Sequence, residues 1–283
     1  MVIDECIHGL QRDRCDVCSP KAAPKRDTPA PARVRASTAP RRSAPPSQRG
    51  TASTAPRKPA LRPLDVGEQR IYHVTHVSNL PGILATGAVL ADIGGEAETR
   101  PVTDISSPAN RKARRATAVA GEGGPAVAEY VPFFLSPAAV LWDTLRAGTP
   151  DPRLAPATRD IPAAEYVILV STVRQVSGIH GGDASPAVPP VVVADGDAAL
   201  PLTRFATTPE AHERAMRRIL LGDDDQAPLR AELLVKGAVP LEAVSLIGVA
   251  HNTARDAVRD ILSSADFRPR VAVHPPWFAA PAT

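Results

Sequence analysis

Several features that would mark other classes of protein are scarce or missing in this 283-residue chain. Aromatic residues make up only 4% of it, and it has three cysteines. No apolar run approaches the roughly 20 residues that a helix needs to cross a bilayer. The first ten residues, MVIDECIHGL, lack the basic and then apolar segments of a secretory signal. We therefore expect no membrane contact and a cytoplasmic location.

The common nucleotide-binding loops are also missing. Neither GxGxxG nor GxxxxGK[ST] follows a predicted strand anywhere in the sequence. Neither a Rossmann site nor a P-loop site is therefore indicated.

All three cysteines lie in the first eighteen residues, with the spacing Cys6-x-His8-x6-Cys15-x2-Cys18. An odd count in a cytosolic protein argues against a disulfide framework. Three thiolates and one imidazole can form a tetrahedral zinc shell, and the metal would supply the folding energy of so short a segment. We expect a structural zinc over residues 1–18. The alternatives are a disordered N-terminus and, less favoured, a thiol-redox pair.

A basic, proline-rich segment follows. The chain has 31 prolines, about twice the average usage. Residues 1–70 contain fourteen Lys and Arg against seven Asp and Glu, whereas the rest of the chain is mildly acidic. Residues 19–66 have too few large apolar side chains to offset the entropy of ordering, which predicts a disordered linker. A basic tail suggests a polyanionic partner such as nucleic acid, and the alternative is a solvated linker without a partner.

One folded domain is predicted over residues 67–278. Strands outnumber helices and do not alternate with them regularly, which favours an α+β fold. Residues 92–128, apart from one short helix, and 181–201 are predicted to be loops. The predicted strands are 70–77, 129–136, 164–173, 231–237 and 244–250, and the predicted helices are 79–87, 108–116, 207–222 and 252–264.

The segment 71–90, IYHVTHVSNLPGILATGAVL, is the most informative part of the chain. Side chains alternate between the two faces of a strand, so His73 and Thr75 share one face and His76 takes the other. Ser78 is a candidate N-cap for the helix that follows, and Gly87 fits its C-terminal end. Taken alone, an isolated histidine of this kind is more often a satisfied core residue than a ligand.

Four stretches, taken in order, resemble the DarT family of NAD-dependent DNA ADP-ribosyltransferase toxins, across about residues 69–262. They are IYHVTHVSNLPGIL at 71–84, RRATAV at 114–119, EYVPFFLSP at 129–137 and RAELLVKGAVPLEAV at 230–244. The resemblance implies an ADP-ribosyltransferase fold, with a small split β-sandwich, peripheral helices and NAD held in the cleft.

The resemblance also implies roles for individual residues. The catalytic arginine of the family matches Arg115, with Arg111 and Arg114 close enough to be confused with it. The catalytic glutamate matches Glu232. The first histidine of the family's YHxTH strand binds NAD and matches His73. We expect Thr75, on the same strand face, and Asn79, Arg114 and Arg115 to contribute to NAD binding.

These residue types suit the implied chemistry. Cleavage of the nicotinamide–ribose bond passes through an oxocarbenium-like state, which a fixed carboxylate such as Glu232 stabilises. The same carboxylate can accept a proton from the attacking base nitrogen. The planar guanidinium of Arg115 suits a pyrophosphate. The simpler alternatives are a solvated face for the arginine cluster and an exposed strand end for Glu232.

The implied reaction transfers ADP-ribose from NAD to thymine or guanine in single-stranded DNA, by a toxin paired with an antitoxin that removes the mark. Thymine-modifying members continue the YVPF strand into an aromatic residue and then Arg-Ser-Pro. Here the sequence is FFLSPAAVLW, without that arginine, so the base stays open. The alternatives are RNA or protein as the acceptor, and a non-catalytic zinc-knuckle protein that binds nucleic acid.

Overall fold

The structure, a computed structural model, describes residues 64–92, 100–179 and 189–280. These residues belong to one compact unit that begins at Leu64. The zinc ligands predicted at Cys6, His8, Cys15 and Cys18 lie outside the described residues, as does nearly all of the linker predicted over 19–66. The zinc site and the linker therefore stay sequence predictions.

The described residues form ten strands, eight of them in one sheet. The strands are β1 (Arg70–His76), β2 (Ala88–Leu90), β3 (Tyr130–Phe134), β4 (Tyr166–Thr172), β5 (Val191–Ala194), β6 (Phe205–Ala206), β7 (Glu232–Lys236), β8 (Ala238–Pro240), β9 (Leu246–Val249) and β10 (Arg270–Val273). The large sheet has the order β10-β9-β4-β1-β3-β7-β5-β6, and β2 pairs with β8 separately. All neighbours are antiparallel except β9 and β10. This mixed arrangement confirms the predicted α+β class.

Eight helices pack around the sheet in the described ranges. They are α1 (Leu80–Thr86), α2 (Pro108–Ala116), α3 (Val140–Arg146), α4 (Val173–Ser177), α5 (Pro209–Leu221), α6 (Ala227–Arg230), α7 (Asn252–Ile261) and α8 (Pro275–Phe278). None of these helices is both long enough and apolar enough to cross a membrane.

Local capping signals predicted α5 correctly, but the start of α1 differs from the prediction. Thr208 caps α5 by accepting the Ala211 N–H, and Pro209 occupies the first turn. Ser78, the predicted cap of α1, lies instead in a short 3-10 turn over Val77–Asn79. The His76 side chain caps that turn by accepting the Ser78 N–H. The Ser78 hydroxyl does not cap α1 because it is engaged elsewhere, 2.8 Å from His76 Nδ1 and 2.9 Å from Thr103 Oγ1.

The large sheet divides between β1 and β3. β1 pairs with β4 along seven residues and β3 pairs with β7 along five, yet β1 and β3 share only the pair Tyr72–Phe134. Beyond that pair the two halves diverge, which opens a cleft between strands that would otherwise be hydrogen-bonded. The split sheet expected from the family resemblance is therefore present.

One strand of the core contradicts the sequence prediction. Residues 181–201 were expected to be a loop, but Val191–Ala194 form β5, which is buried and pairs with β7. Four residues are too few for a periodic signal, and the neighbouring prolines and glycines favoured a loop. Burial of three valines against β7 decides the conformation.

Candidate active site

A cavity of about 300 Å³ lies at the cleft where β1 and β3 diverge. One part of its wall is polar and includes His73, Thr75, Asn79, Arg111, Arg114 and Glu232. The other part is apolar and includes Val74, Phe134, Leu141, Trp142, Leu145 and Leu154. A concave site with apolar walls and a few convergent polar groups is typical of small-molecule binding.

A buried ion pair lies in the polar part of the cavity. Glu232 opens β7, where its neighbours across the sheet are Phe134 on β3 and Ala194 on β5. Arg114 lies in the last turn of α2, and its Nη1 and Nη2 each donate to Glu232 Oε2 at 3.0 Å. The side chains are only 14% exposed for Arg114 and 7% for Glu232. A charge-assisted contact of this kind fixes the position of the carboxylate.

The second oxygen of Glu232 is also held. The backbone N–H of Ala198, in the loop between β5 and β6, donates to Oε1 at 3.2 Å. Arg114 Nη1 approaches the same oxygen at 3.4 Å. The carboxylate is therefore constrained by a helix on one side and by a loop on the other.

His73 spans the cleft from β1 to β3. Its Nδ1 donates to the Pro132 carbonyl at 2.9 Å, and because a carbonyl only accepts, the neutral ring carries its proton on Nδ1. Nε2 is then the acceptor. Proline has no N–H, so Pro132 presents no unpaired donor where β1 and β3 separate. Burial lowers the pKa of His73, with the hydrogen bond to Pro132 acting in the opposite direction.

This lowered pKa predicts a pH dependence of stability. In the unfolded chain His73 binds a proton at its ordinary pKa of about 6.5, whereas the folded ring resists protonation. The contribution of His73 to the free energy of unfolding is therefore fully present above about pH 6.5. It is lost as the pH falls from there towards the lower pKa of the folded protein. We expect the free energy of unfolding to fall less between about pH 7.5 and about pH 5.5 in His73→Gln than in the unsubstituted protein.

Urea denaturation at the two pH values measures this difference. Burial also lowers the pKa values of His212 and His274, so part of the acid sensitivity is expected to persist in the variant. Equal losses of stability in both proteins would contradict the role of His73.

Asn79 lines the cavity and hydrogen-bonds two other residues that line it. Its Nδ2 donates to Thr75 Oγ1 at 3.0 Å and to the Thr103 carbonyl at 2.9 Å, and its Oδ1 accepts the Thr103 N–H at 2.9 Å. Both of its amide protons are thus used inside the protein. The hydroxyl of Thr75 accepts one of them and keeps its own proton to donate. Asn79 therefore holds Thr75 and the 103 segment in place.

The three arginines of α2 have different surroundings. Arg111 pairs with Asp92 and, at 2.5 Å, with Asp104. Arg115 pairs with Asp92 at 2.8 Å, is 49% exposed and is not among the residues that line the cavity. Successive helical residues are about 100° apart, so Arg115 turns away from Glu232 where Arg114 faces it. The structure brings Arg114, rather than Arg115, to the carboxylate.

His76 lies outside the cavity, as strand alternation predicts. Its ring packs edge-on against Tyr166, with centroids 5.4 Å apart, and its Nε2 lies 3.4 Å from Glu165. Across the described ranges there is no group of three or more His, Cys, Asp or Glu side chains that could hold a metal ion.

Two contributors to the site were not predicted from the sequence. Ala198 acts through its backbone N–H, a group that every residue except proline has, so no sequence signal could have identified it. Arg153 lines the cavity between two aspartates, Asp151 and Asp197. The Asp-Pro-Arg spacing at 151–153 carries no recognised motif, and Asp197 is more than forty residues away in the chain.

The fold matches several solved structures. Thermus sp. 2.9 DarT in complex with ADP-ribosylated ssDNA aligns with a TM-score of 0.60 and 23% identity, over 75% of this chain and 97% of that one. The same protein in complex with NAD+ gives 0.58 and 24%, over 75% and 98%. Thermosipho africanus DarTG in complex with ADP-ribose gives 0.56 and 15%, over 74% of this chain and 51% of that one.

Sequence comparisons lead to the same family. A DNA ADP-ribosyl transferase of Mycobacterium tuberculosis (strain H37Rv) is 27% identical over 218 residues, which is 68% of this chain and 81% of that protein. Its counterpart in Mycobacterium bovis BCG has the same values. The family model described as "ssDNA thymidine ADP-ribosyltransferase, DarT" matches residues 72–279. The chain therefore belongs to the DarT family of NAD-dependent DNA ADP-ribosyltransferases.

Proposed function

We propose that this protein transfers ADP-ribose from NAD to a base of single-stranded DNA. The observation that carries the proposal is the Arg114–Glu232 pair, which lies in the same cleft as the neutral imidazole of His73. Two solved Thermus DarT structures, one with NAD+ and one with ADP-ribosylated ssDNA, support this choice of substrates.

Glu232 has the chemistry that the transfer needs. The bond between the ribose and nicotinamide breaks with its electron pair going to the nicotinamide nitrogen, which leaves positive charge on the ribose. A carboxylate fixed at both oxygens stabilises that charge without reorganising. A base nitrogen then forms the new bond to the ribose carbon and gives up its proton, which the Glu232 carboxylate can accept.

We assign the role of the family's catalytic arginine to Arg114. The sequence match fell on Arg115, with Arg111 and Arg114 as alternatives. Arg114 contacts Glu232, whereas Arg111 and Arg115 are paired with aspartates. Its guanidinium has five donors, and two of its N–H groups are used by the carboxylate, so others can contact a ribose hydroxyl or phosphate.

His73 and Thr75 complete the proposed NAD site. The neutral imidazole offers Nε2 as an acceptor to a ribose hydroxyl or amide, and the Thr75 hydroxyl offers a donor. Both line the cavity from β1, next to Asn79, which fixes Thr75. The apolar wall beyond them, which includes Trp142 and Phe134, excludes water from the reacting bond.

We propose thymine as the acceptor base, because the matching family model is described by thymidine. Guanine is the alternative, since the arginine expected after the YVPF strand is replaced in LSPAAV at 135–140. The ring N–H groups of thymine and guanine are engaged in base pairing in a duplex, so a target at either nitrogen has to be single-stranded or flipped.

Labelled NAD tests the acceptor directly. We expect label to be incorporated into a single-stranded oligonucleotide that contains thymine, and duplex DNA of the same sequence to incorporate at least about tenfold less because its bases are paired. Matched oligonucleotides that contain guanine but no thymine separate the two bases. Label that appears only on RNA, on protein or on nothing would overturn the proposal.

We also propose that the activity is toxic and is countered by an antitoxin that removes ADP-ribose from DNA. The support is the match to DarTG, a longer protein whose solved structure holds ADP-ribose and of which this chain covers 51%. Chemically, a glycosidic bond to a base nitrogen blocks base pairing until it is hydrolysed, which requires a second activity.

A further inference from the structure

The loop between β5 and β6 contacts Glu232 through a single backbone amide. Ala198 is completely buried, and its N–H donates to Glu232 Oε1. The preceding residue, Asp197, forms a turn in which its carbonyl accepts the Thr203 hydroxyl at 2.5 Å and the Leu200 N–H at 3.0 Å. The position of the Ala198 amide therefore depends on how Asp197 is held.

Arg153 holds the side chain of Asp197. Its Nη1 donates to Asp197 Oδ2 at 3.0 Å, while its Nε and Nη2 bind the two oxygens of Asp151 at 2.9 and 2.7 Å. The other oxygen of Asp197 accepts the Ala199 N–H at 2.9 Å. Both carboxylates are largely buried, and the bond from Arg153 lowers the pKa of Asp151. Three charged groups thus fix the residue next to Ala198.

The segment that carries Arg153 also fixes the helix that carries Arg114. Ser107 caps α2 by accepting the Asn110 N–H at 3.1 Å. The same hydroxyl donates to the Pro152 carbonyl at 2.6 Å, and the Ser107 N–H donates to the Arg153 carbonyl at 2.9 Å. One short segment, residues 151–154, is therefore hydrogen-bonded both to α2 and to the loop between β5 and β6, the two elements that contact Glu232.

We propose that Arg153 is a positioning residue of the reaction, which acts through Asp197 to hold the Ala198 amide against Glu232. This inference rests on the proposed function, since it assigns the carboxylate a part in the transfer. A backbone N–H that donates to one carboxylate oxygen fixes the direction of that carboxylate. Displacement of a catalytic group by about 1 Å can cost about 100-fold in rate.

A direct role for Arg153 in binding the substrate is the competing explanation, because Arg153 lines the cavity. Asp197 is not among the cavity-lining residues, so it separates the two explanations. If Arg153 binds a phosphate directly, loss of the Asp197 charge leaves that contact in place. If Arg153 acts through Asp197, loss of either partner releases the same loop.

The test is a double-mutant cycle in the full chain with Arg153→Met, Asp197→Asn and both together. We expect each single change to lower kcat for transfer to single-stranded DNA by about 10- to 100-fold, with KM for NAD within about twofold. The kcat of the double variant should be no lower than that of the less active single variant, because the effects of two residues that act through one contact are not additive. Arg153→Lys should recover part of kcat, since an ammonium group can still pair with Asp197. Arg159→Met and Asp160→Asn, both exposed, are the matched controls.

Several outcomes would overturn the inference. Full activity of Asp197→Asn beside an inactive Arg153→Met would show direct contact with substrate, and so would a raised KM for NAD at constant kcat. If the charge variants do not fold, Thr203→Val loosens the same turn without changing charge and should still lower kcat severalfold. An unsubstituted protein that modifies no DNA defeats the proposed function, whereas an active one whose Asp197→Asn and Thr203→Val variants keep full kcat defeats this inference alone.

Discussion

Replacement of Glu232 by glutamine is expected to lower kcat for ADP-ribose transfer by about 100- to 1000-fold, because the variant loses the fixed negative charge that faces the developing cation. Glutamine has nearly the same shape as glutamate, and its amide oxygen can still accept the Ala198 N–H. The rate of label transfer from NAD to a single-stranded oligonucleotide measures the effect.

Stability has to be measured alongside activity in this variant. The guanidinium of Arg114 stays buried without a counter-charge, and loss of one partner of a buried pair can cost about 3–5 kcal/mol. Thermal unfolding with and without NAD separates a misfolded protein from a folded one that still binds NAD. Glu242→Gln, at an exposed carboxylate, is the matched control and should keep full activity. A folded Glu232→Gln protein with full activity would contradict the assignment.

The same variant tests the proposed toxicity. Induced expression of the unsubstituted protein should arrest growth of a bacterial host, and expression of Glu232→Gln to the same level should not. Equal arrest by both proteins would show that toxicity does not come from the transfer reaction.

Replacement of Arg114 by methionine should lower kcat/KM for NAD by about 100-fold or more, whereas the same change at the adjacent Arg115 should stay within about threefold. The two residues differ in what they face. Arg114 contacts both oxygens of Glu232 and lines the cavity, while Arg115 is half-exposed and pairs with Asp92. NAD consumption and DNA labelling, measured together, give the two values.

A lysine at position 114 tests whether positive charge alone is enough for activity. Arg114→Lys keeps a charge beside Glu232 but cannot form the two-pronged contact, so we expect activity between that of the methionine variant and that of the unsubstituted protein. A large loss in Arg115→Met with a small one in Arg114→Met would return the catalytic assignment to the residue that the sequence match favoured.

The well-predicted parts of the fold are those whose signal is local. Thr208 and Pro209 mark the start of α5, and the near-continuous apolar run that forms β4 is typical of a strand buried on both faces. The strand β5 and the helix α3 were not predicted, because each is short and lacks a boundary signal. Pairing of β5 with β7, and burial of the Trp142 and Leu145 side chains of α3 in the core, decide their conformation.

The candidate site also has residues that the sequence predicts and residues that only the tertiary structure selects. The family resemblance predicted His73 and Glu232 as site residues from two recognisable strand motifs, and the structure places both at the cavity. The choice among Arg111, Arg114 and Arg115 was not available from spacing, because all three lie within about one helical turn. It depends on which way α2 faces and on where Asp92 lies, and both are set by contacts between remote segments.

The sequence by itself determined the family, the residue types needed for transfer and most of the longer elements, because these depend on local propensity and on ordered motifs. Only the tertiary structure decided that the sheet divides after Tyr72 and Phe134, that Arg114 faces Glu232, and that Ala198 supplies a donor to it. The physical reason is that each of these contacts joins residues more than thirty positions apart. Chain folding, rather than any local preference, brings such residues within hydrogen-bonding distance.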